Sequence, residues 1–110
     1  VSGDEITLRL EIREGKVGAL RWHGDGCAIS MASASVLADL ARDLDPAGLQ
    51  DLINYFRKVM RSRGALEADE ETLGDAAALS GVAKYPARVK CAMLSWVAAE
   101  DALRQAGSNG

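Results

Sequence analysis

The chain has little of what most often announces a function. Its 110 residues include two cysteines, one histidine and two prolines, and only 5% are aromatic. No apolar run approaches the roughly 20 residues that a bilayer-spanning helix needs, and the N-terminus has no basic-then-apolar leader pattern. With 13 basic against 16 acidic residues the formal charge is −3. No lysine-rich block or aromatic interleaving is present, which argues against nucleic acid as a partner. The paired Cys-x-x-Cys signature of a structural zinc site is missing, as are internal repeats and linkers. What remains reads as a soluble, cytoplasmic chain with neither membrane nor nucleic acid as a partner. Its apolar fraction of 48% is enough for one compact core without staples.

Ile6, Leu8, Leu10 and Ile12 alternate with Thr7, Arg9 and Glu11, the pattern of a half-buried strand from Asp4 to Ile12. Glu14-Gly15-Lys16 reads as a hairpin turn, with Val17 to His23 returning. Ser2 and Asp4 share the parity of the apolar set, so both face the core side if the strand reaches them, and a carboxylate there needs a partner. Met31 to Leu44 carries Leu37, Leu40, Ala41 and Leu44 at helical spacing, with Ser30, Ser33 and Ser35 offering a capping hydroxyl at its start. Asp45 as N-cap and Pro46 at the first helical position open a second helix, whose stripe of Leu49, Leu52, Ile53, Phe56, Val59 and Met60 faces the core.

Gly64 breaks that helix. Glu67, Asp69, Glu70, Glu71 and Asp75 form an acidic stretch, read as a solvated loop that turns helical near its end and lacks the spacing of a calcium loop. A short helical piece from Asp75 to Leu79 leads to Gly81. Pro86 then opens the last helix, which runs to about Ala106 and buries Val89, Met93, Trp96, Val97 and Leu103, ahead of a frayed Gly107-Ser108-Asn109-Gly110 tail. A hairpin with room for one further short strand, followed by helices, predicts an α+β fold: a small antiparallel sheet covered on one face by helices.

Chemistry concentrates at Gly24-Asp25-Gly26-Cys27, just ahead of a segment rich in small residues, Ala28 to Ser35. A cysteine placed there meets the unpaired N–H groups of a helix N-terminus, which favour the thiolate. Cys91 on the last helix follows Arg88 by three positions, so both lie on one face, and a nearby guanidinium favours a thiolate and meets anions. The start of the first strand with Asp4, the turn at Cys27 and the first turns of the last helix with Cys91 are the elements that would converge on a metal. Two thiolates and a carboxylate are reasonable zinc ligands. Spacing alone leaves open the plainer reading, two buried small apolar cysteines, while a disulfide between them is disfavoured in a reducing compartment. Asp25 reads as a turn residue and Trp96 as core. His23 is either a solvated strand-end side chain or a further ligand, and alternation points it outward if Leu20 and Trp22 face in.

Ser2-Gly3-Asp4, the Gly24 to Ser35 stretch, Leu73-Gly74-Asp75, Leu79-Ser80-Gly81-Val82 and Pro86-Ala87-Arg88-Val89-Lys90-Cys91-Ala92 with Trp96 together resemble the SufU-type proteins. These are a branch of the IscU/NifU N-terminal family of iron–sulfur cluster assembly proteins. The motifs fall in family order over nearly the whole chain. The acidic stretch before Leu73 matches the insertion that sets the SufU branch apart from the scaffold branch, and Lys90 stands where scaffold proteins usually carry a histidine.

The resemblance implies one SufU/IscU-like domain over residues 1–110, lacking the N-terminal segment such proteins normally have. It also implies a zinc ion held by three cysteines and an aspartate, and persulfide sulfur accepted from a cysteine desulfurase. Asp4, Cys27 and Cys91 match the aspartate and the last two cysteines, and Arg88 matches a position near the zinc site. The family's first cysteine, the one thought to leave zinc and attack the persulfide, is Ser2 here. A hydroxyl is a poor zinc ligand and cannot carry persulfide sulfur. The expectation is a zinc-binding sulfur-relay protein impaired at Ser2, with water completing the metal's coordination. Two other readings remain: a non-catalytic desulfurase-binding or regulatory domain, and an iron–sulfur scaffold, which two cysteines per chain serve poorly without ligands from elsewhere.

Overall fold

A computed structural model describes residues 5–25, 27–66 and 70–109. The N-terminal alternation produces a two-stranded antiparallel sheet of β1 (Glu5–Arg13) and β2 (Lys16–Asp25). Glu14 and Gly15 turn it with φ of 52° and 77°, the left-handed backbone that matches the twist of a two-residue hairpin. Pairing is regular from Glu5 opposite Asp25 to Glu11 opposite Ala19, then slips so that Ile12 meets Val17 and Gly18 is left over. Val17 and Leu20 have opposite parity, and this bulge is what lets both reach the core side, where Val17 is fully buried and Leu20 nearly so. Thr7, Arg9, Arg21 and His23 lie exposed. No third strand occurs among the described residues.

Helix α1 (Ala28–Ala41) begins directly after Cys27, ahead of the Met31 start that the leucine spacing suggests, and stops at Ala41 instead of Leu44. Asp43 turns the chain with φ 68°. Its N–H donates to the Val17 carbonyl at 3.0 Å, and the Val17 N–H donates to the Leu44 carbonyl at 2.6 Å. These bonds tie the connector to the start of β2 and take Leu44 out of the helix. Helix α2 (Pro46–Arg61) has the expected start: the Asp45 carboxylate accepts from the Gly48 N–H at 2.7 Å, with Pro46 in the first turn. All six residues of its apolar stripe are buried.

Gly64, with φ 89°, follows the end of α2. A single turn, α3 (Glu70–Leu73), leads into a 3-10 segment, Gly74–Lys84, so the short piece expected over Asp75 to Leu79 is longer and runs through Gly81. Helix α4 (Pro86–Asn109) completes the chain. Its helical backbone continues through Gly107 and Ser108, which corrects the expected frayed tail; one glycine costs a helix only about 1 kcal/mol. No helix among the described residues is long and apolar enough to cross a membrane.

Helix α4 packs on β1, α1 on β2, and α2 on α4. At the centre Trp96 stacks on Phe56, ring centroids 4.0 Å apart and planes 10° from parallel. Trp96 Nε1 donates to Ser33 Oγ at 2.8 Å, and Ser33 Oγ donates to the Ala92 carbonyl at 2.6 Å, which locks α1 to α4. Among the described side chains of α4 the buried ones are Cys91, Ala92, Ser95, Trp96 and Ala99. Val97, expected inside, is 43% exposed, and Val89, Met93 and Leu103 are only partly buried. Small side chains let helix backbones approach closely, so the contact face of α4 is made of them around Trp96, while Val89, Met93 and Leu103 pack against the core from the flanks.

Candidate metal centre

Cys27 is the N-cap residue of α1, with extended backbone at φ −71° and ψ 168°, and its side chain is exposed. Cys91 lies in the second turn of α4, 5% exposed, with its thiol 3.9 Å from the Ala87 carbonyl. The fold brings these two distant residues together: the Cys91 thiol is near enough to help lower the Cys27 pKa, and the two form no disulfide. Cys27 is held in place through its carbonyl, which accepts from the Ser30 hydroxyl at 2.9 Å and from the Met31 N–H at 3.2 Å.

The Cys27 thiol forms no cap hydrogen bond of ordinary geometry. The backbone N–H of Ser30 nevertheless faces it and is the main reason its pKa falls below that of an ordinary thiol. Partial desolvation opposes this, while the Cys91 thiol, the Ser30 hydroxyl and the Ile29 N–H add to the lowering. The sequence expectation of a thiolate-favouring helix start thus has a specific set of donors.

Ser2 and Asp4 fall outside the described residues. The nearest described point is Glu5, paired with Asp25 two residues before Cys27. Arg88 is exposed, its guanidinium carbon 5.2 Å from the centroid of the Tyr85 ring, a cation–π contact at the start of α4. It is not among the groups that lower the Cys27 pKa. His23 sits opposite Thr7 in the sheet and is exposed, the outward orientation that alternation predicts. Asp25, expected in a turn, is the last residue of β2, because the strand extends beyond His23.

Two thiols meeting beside a helix N-terminus fit zinc in kind, since zinc takes deprotonated sulfur readily and the N-terminus favours that form. They supply half of a four-donor shell. Among the described residues no third His, Cys, Asp or Glu joins them. Ser33 has a role that capping does not describe: it is fully buried and sets the spacing of the two helices that carry the cysteines. The signal in the sequence is the series Ser30, Ser33, Ala34, Leu37 and Ala41, which puts two serines at core positions of α1.

Residues 1–92 match the NifU-like N terminal domain family. Over 108 residues the chain is 38% identical to the zinc-dependent sulfurtransferase SufU of Bacillus subtilis (strain 168), spanning 97% of this chain and 72% of that protein. It is 32% identical over 106 residues to the iron–sulfur cluster assembly scaffold protein IscU of Streptococcus pyogenes serotype M1, covering 96% and 65% of the two. A solved structure from Fervidobacterium islandicum AW-1, provisionally named an iron–sulfur cluster assembly scaffold protein for the SUF system, matches with a TM-score of 0.82 at 32% identity. That match covers 91% of this chain and 71% of the other. With the family match covering most of its length and relatives above 30% identity, the chain belongs to the NifU-like N-terminal domain family.

Proposed function

We propose that this chain is a zinc-binding SufU-type protein that takes up persulfide sulfur from a cysteine desulfurase for iron–sulfur cluster assembly, with transfer impaired by Ser2. The observation that carries this reading is the meeting of Cys27 and Cys91, with Cys27 poised toward the thiolate, in a member of this family. Asp4, Cys27 and Cys91 would hold the ion. The pairing of Glu5 with Asp25 supports Asp4 as the third ligand, since β1 begins beside the strand that leads to Cys27. Zinc, when bound, keeps both sulfurs deprotonated and leaves a coordination position open to a further ligand. The chain acts as one domain, in the cytoplasm, with the desulfurase as partner and without nucleic acid or membrane.

The chain's own residues perform definite tasks in this reading. The N–H groups of Ser30 and Ile29 favour the Cys27 thiolate, and Ser33, bonded to Trp96 and Ala92, fixes the separation of the two cysteine-bearing helices. Arg88, one turn ahead of Cys91, is assigned to meet an anionic group on the approaching partner. In sulfur uptake an acceptor thiolate attacks the outer sulfur of the desulfurase persulfide, a new S–S bond forms, and the desulfurase thiolate leaves. A serine at position 2 cannot make that attack.

Metal analysis tests the reading. The purified protein should hold about one zinc per chain, and Asp4→Ala, Cys27→Ala or Cys91→Ala should each release it. Zinc that survives all three substitutions rejects the site. Ser2→Cys should raise desulfurase turnover, and an unchanged rate rejects the relay.

Ser2 itself favours a second reading, a non-catalytic desulfurase-binding or regulatory domain. Its signature is desulfurase binding without stimulation by either Ser2 or Cys at position 2. The names of the Streptococcus and Fervidobacterium relatives favour a third, a cluster scaffold. Anaerobic reconstitution that yields no visible absorption excludes it.

A further inference from the structure

A second feature of the molecule lies on the side of α4 turned away from the cysteines. Helices α2 and α4, with the end of the 3-10 segment, enclose a groove of about 510 Å³. Successive helical residues rotate by about 100°, which puts Val89, Met93 and Val97 on one stripe of α4 and Cys91 roughly opposite. With Met60 of α2, that stripe gives the groove an apolar floor. Val97, 43% exposed, is open to a partner.

The rim is cationic. Arg61, Arg63 and Lys90 line it, and none of them has an ion-pair partner among the described residues. Arg57 also borders the groove but is neutralised by Glu100. No carboxylate lines it among the described residues, in a chain whose formal charge is −3. The local charge therefore opposes the overall charge, and its sign selects an acidic occupant.

We propose that this groove docks an acidic amphipathic helix of a partner protein. Such a helix lays apolar residues at helical spacing onto the Met60, Val89, Met93 and Val97 floor while its flanking carboxylates meet the rim. Nucleic acid would engage the three cations and leave the floor uncovered. An anionic lipid surface, being flat, would not fill a concave site. The methionines suit the floor because their unbranched, polarizable side chains adapt to the helix that enters.

Fluorescence anisotropy on the whole chain tests this with a labelled synthetic peptide of about 16 residues, long enough for a helical stripe, carrying leucine at helical spacing and glutamate elsewhere. Two controls accompany it: a scramble of the same composition and a lysine-for-glutamate version. The striped acidic peptide should bind at least roughly tenfold tighter than either control and weaken roughly tenfold as salt rises from about 50 to 300 mM. Val97→Asp, and separately the pair Arg61→Glu with Arg63→Glu, should each cost roughly tenfold. Zinc content and far-UV circular dichroism should match the parent, which separates this test from that of the sulfur relay.

Several results would overturn the proposal: equal binding of the scramble, indifference to the substitutions, or no binding of the striped peptide up to about 1 mM. Tighter binding of single-stranded DNA or anionic vesicles, lost in the same variants, would reassign the rim. A chain dimer abolished by those variants would make a second copy the occupant.

Discussion

The two seams of α4 share Trp96 and are built from opposite materials. Against α1 the contact is small and neutral: Ser33 bridges Trp96 and the Ala92 carbonyl, and Ser30, Ser33, Ala34 and Ala92 are all buried. Against α2 it is large and partly charged, with Phe56 stacked on Trp96 and Arg57 paired to Glu100. Short side chains leave nothing flexible to absorb an error in helix spacing, and that suits the seam that must bring a thiol from each helix together. Aromatic and ionic contacts contribute more energy and tolerate more variation. The α2 seam borders the open groove; the α1 seam ends at the cysteines.

The largest expected effect comes from the α2 seam. Phe56→Ala removes a fully buried ring and its stack on Trp96, and should cost about 3–5 kcal/mol in denaturant unfolding. If the seams divide labour as their materials indicate, the alkylation rate of Cys27 in the folded variant should match that of the parent. A several-fold change in that rate would break the comparison.

Glu100→Gln probes the same seam through pH. The Glu100 carboxylate accepts from Arg57 Nη2 at 2.7 Å, from Arg57 Nη1 at 3.0 Å and from the Gln50 amide at 2.9 Å, with both members of the ion pair about four-fifths buried. Arg57 first, then Gln50, holds the Glu100 pKa below the usual carboxylate range. The folded pKa is depressed, so the stabilisation is fully present above the unfolded value of about 4.3 and is lost as pH falls through the lower folded value. The variant should lose about 1.5–3 kcal/mol at pH 7, and its deficit should vanish progressively in acid. A deficit that persists unchanged below the folded pKa would remove the charge from the explanation.

Ser33→Ala, in the α1 seam, leaves the Trp96 Nε1–H without its acceptor and should cost about 1–3 kcal/mol, with no dependence on pH across the carboxylate range. Unlike Phe56→Ala, it should also alter the alkylation rate of Cys27, because the spacing of α1 and α4 is no longer tied. An unchanged rate would mean that the hydroxyl contributes stability alone.

The same contrast explains what the sequence made legible. Helix α2 was readable because its buried face is large and apolar and its start carries Asp45-Pro46. The hairpin was readable from alternation, but the bulge at Gly18 was not, since alternation cannot show that Val17 and Leu20 share a face. The buried face of α4 was legible at Trp96 but not at Ala92, Ser95 and Ala99, whose small side chains carry little weight in a hydrophobic pattern, whereas Val97 carries much and is exposed. At the site, the helix-start environment of Cys27 followed from local sequence. Its meeting with Cys91 did not follow from spacing and rested on the family resemblance, because nothing local encodes a contact across more than half the chain.

Ser95 gives the smallest and most discriminating test. It lies one turn beyond Cys91 on α4, fully buried, and its hydroxyl has no hydrogen-bond partner among the described residues. The deletion that Ser33→Ala makes can therefore be repeated on a buried hydroxyl of α4 that no described residue engages. Removing a partnered hydroxyl strands its partner, whereas removing an unpartnered one relieves a desolvation cost at the expense of a small cavity. Ser95→Ala should be neutral or stabilising by up to about 1 kcal/mol, read from the denaturant midpoint, with Cys27 alkylation unchanged. A loss as large as that of Ser33→Ala would show that Ser95 is engaged in the folded protein, and that the core of α4 holds two polar ties instead of one.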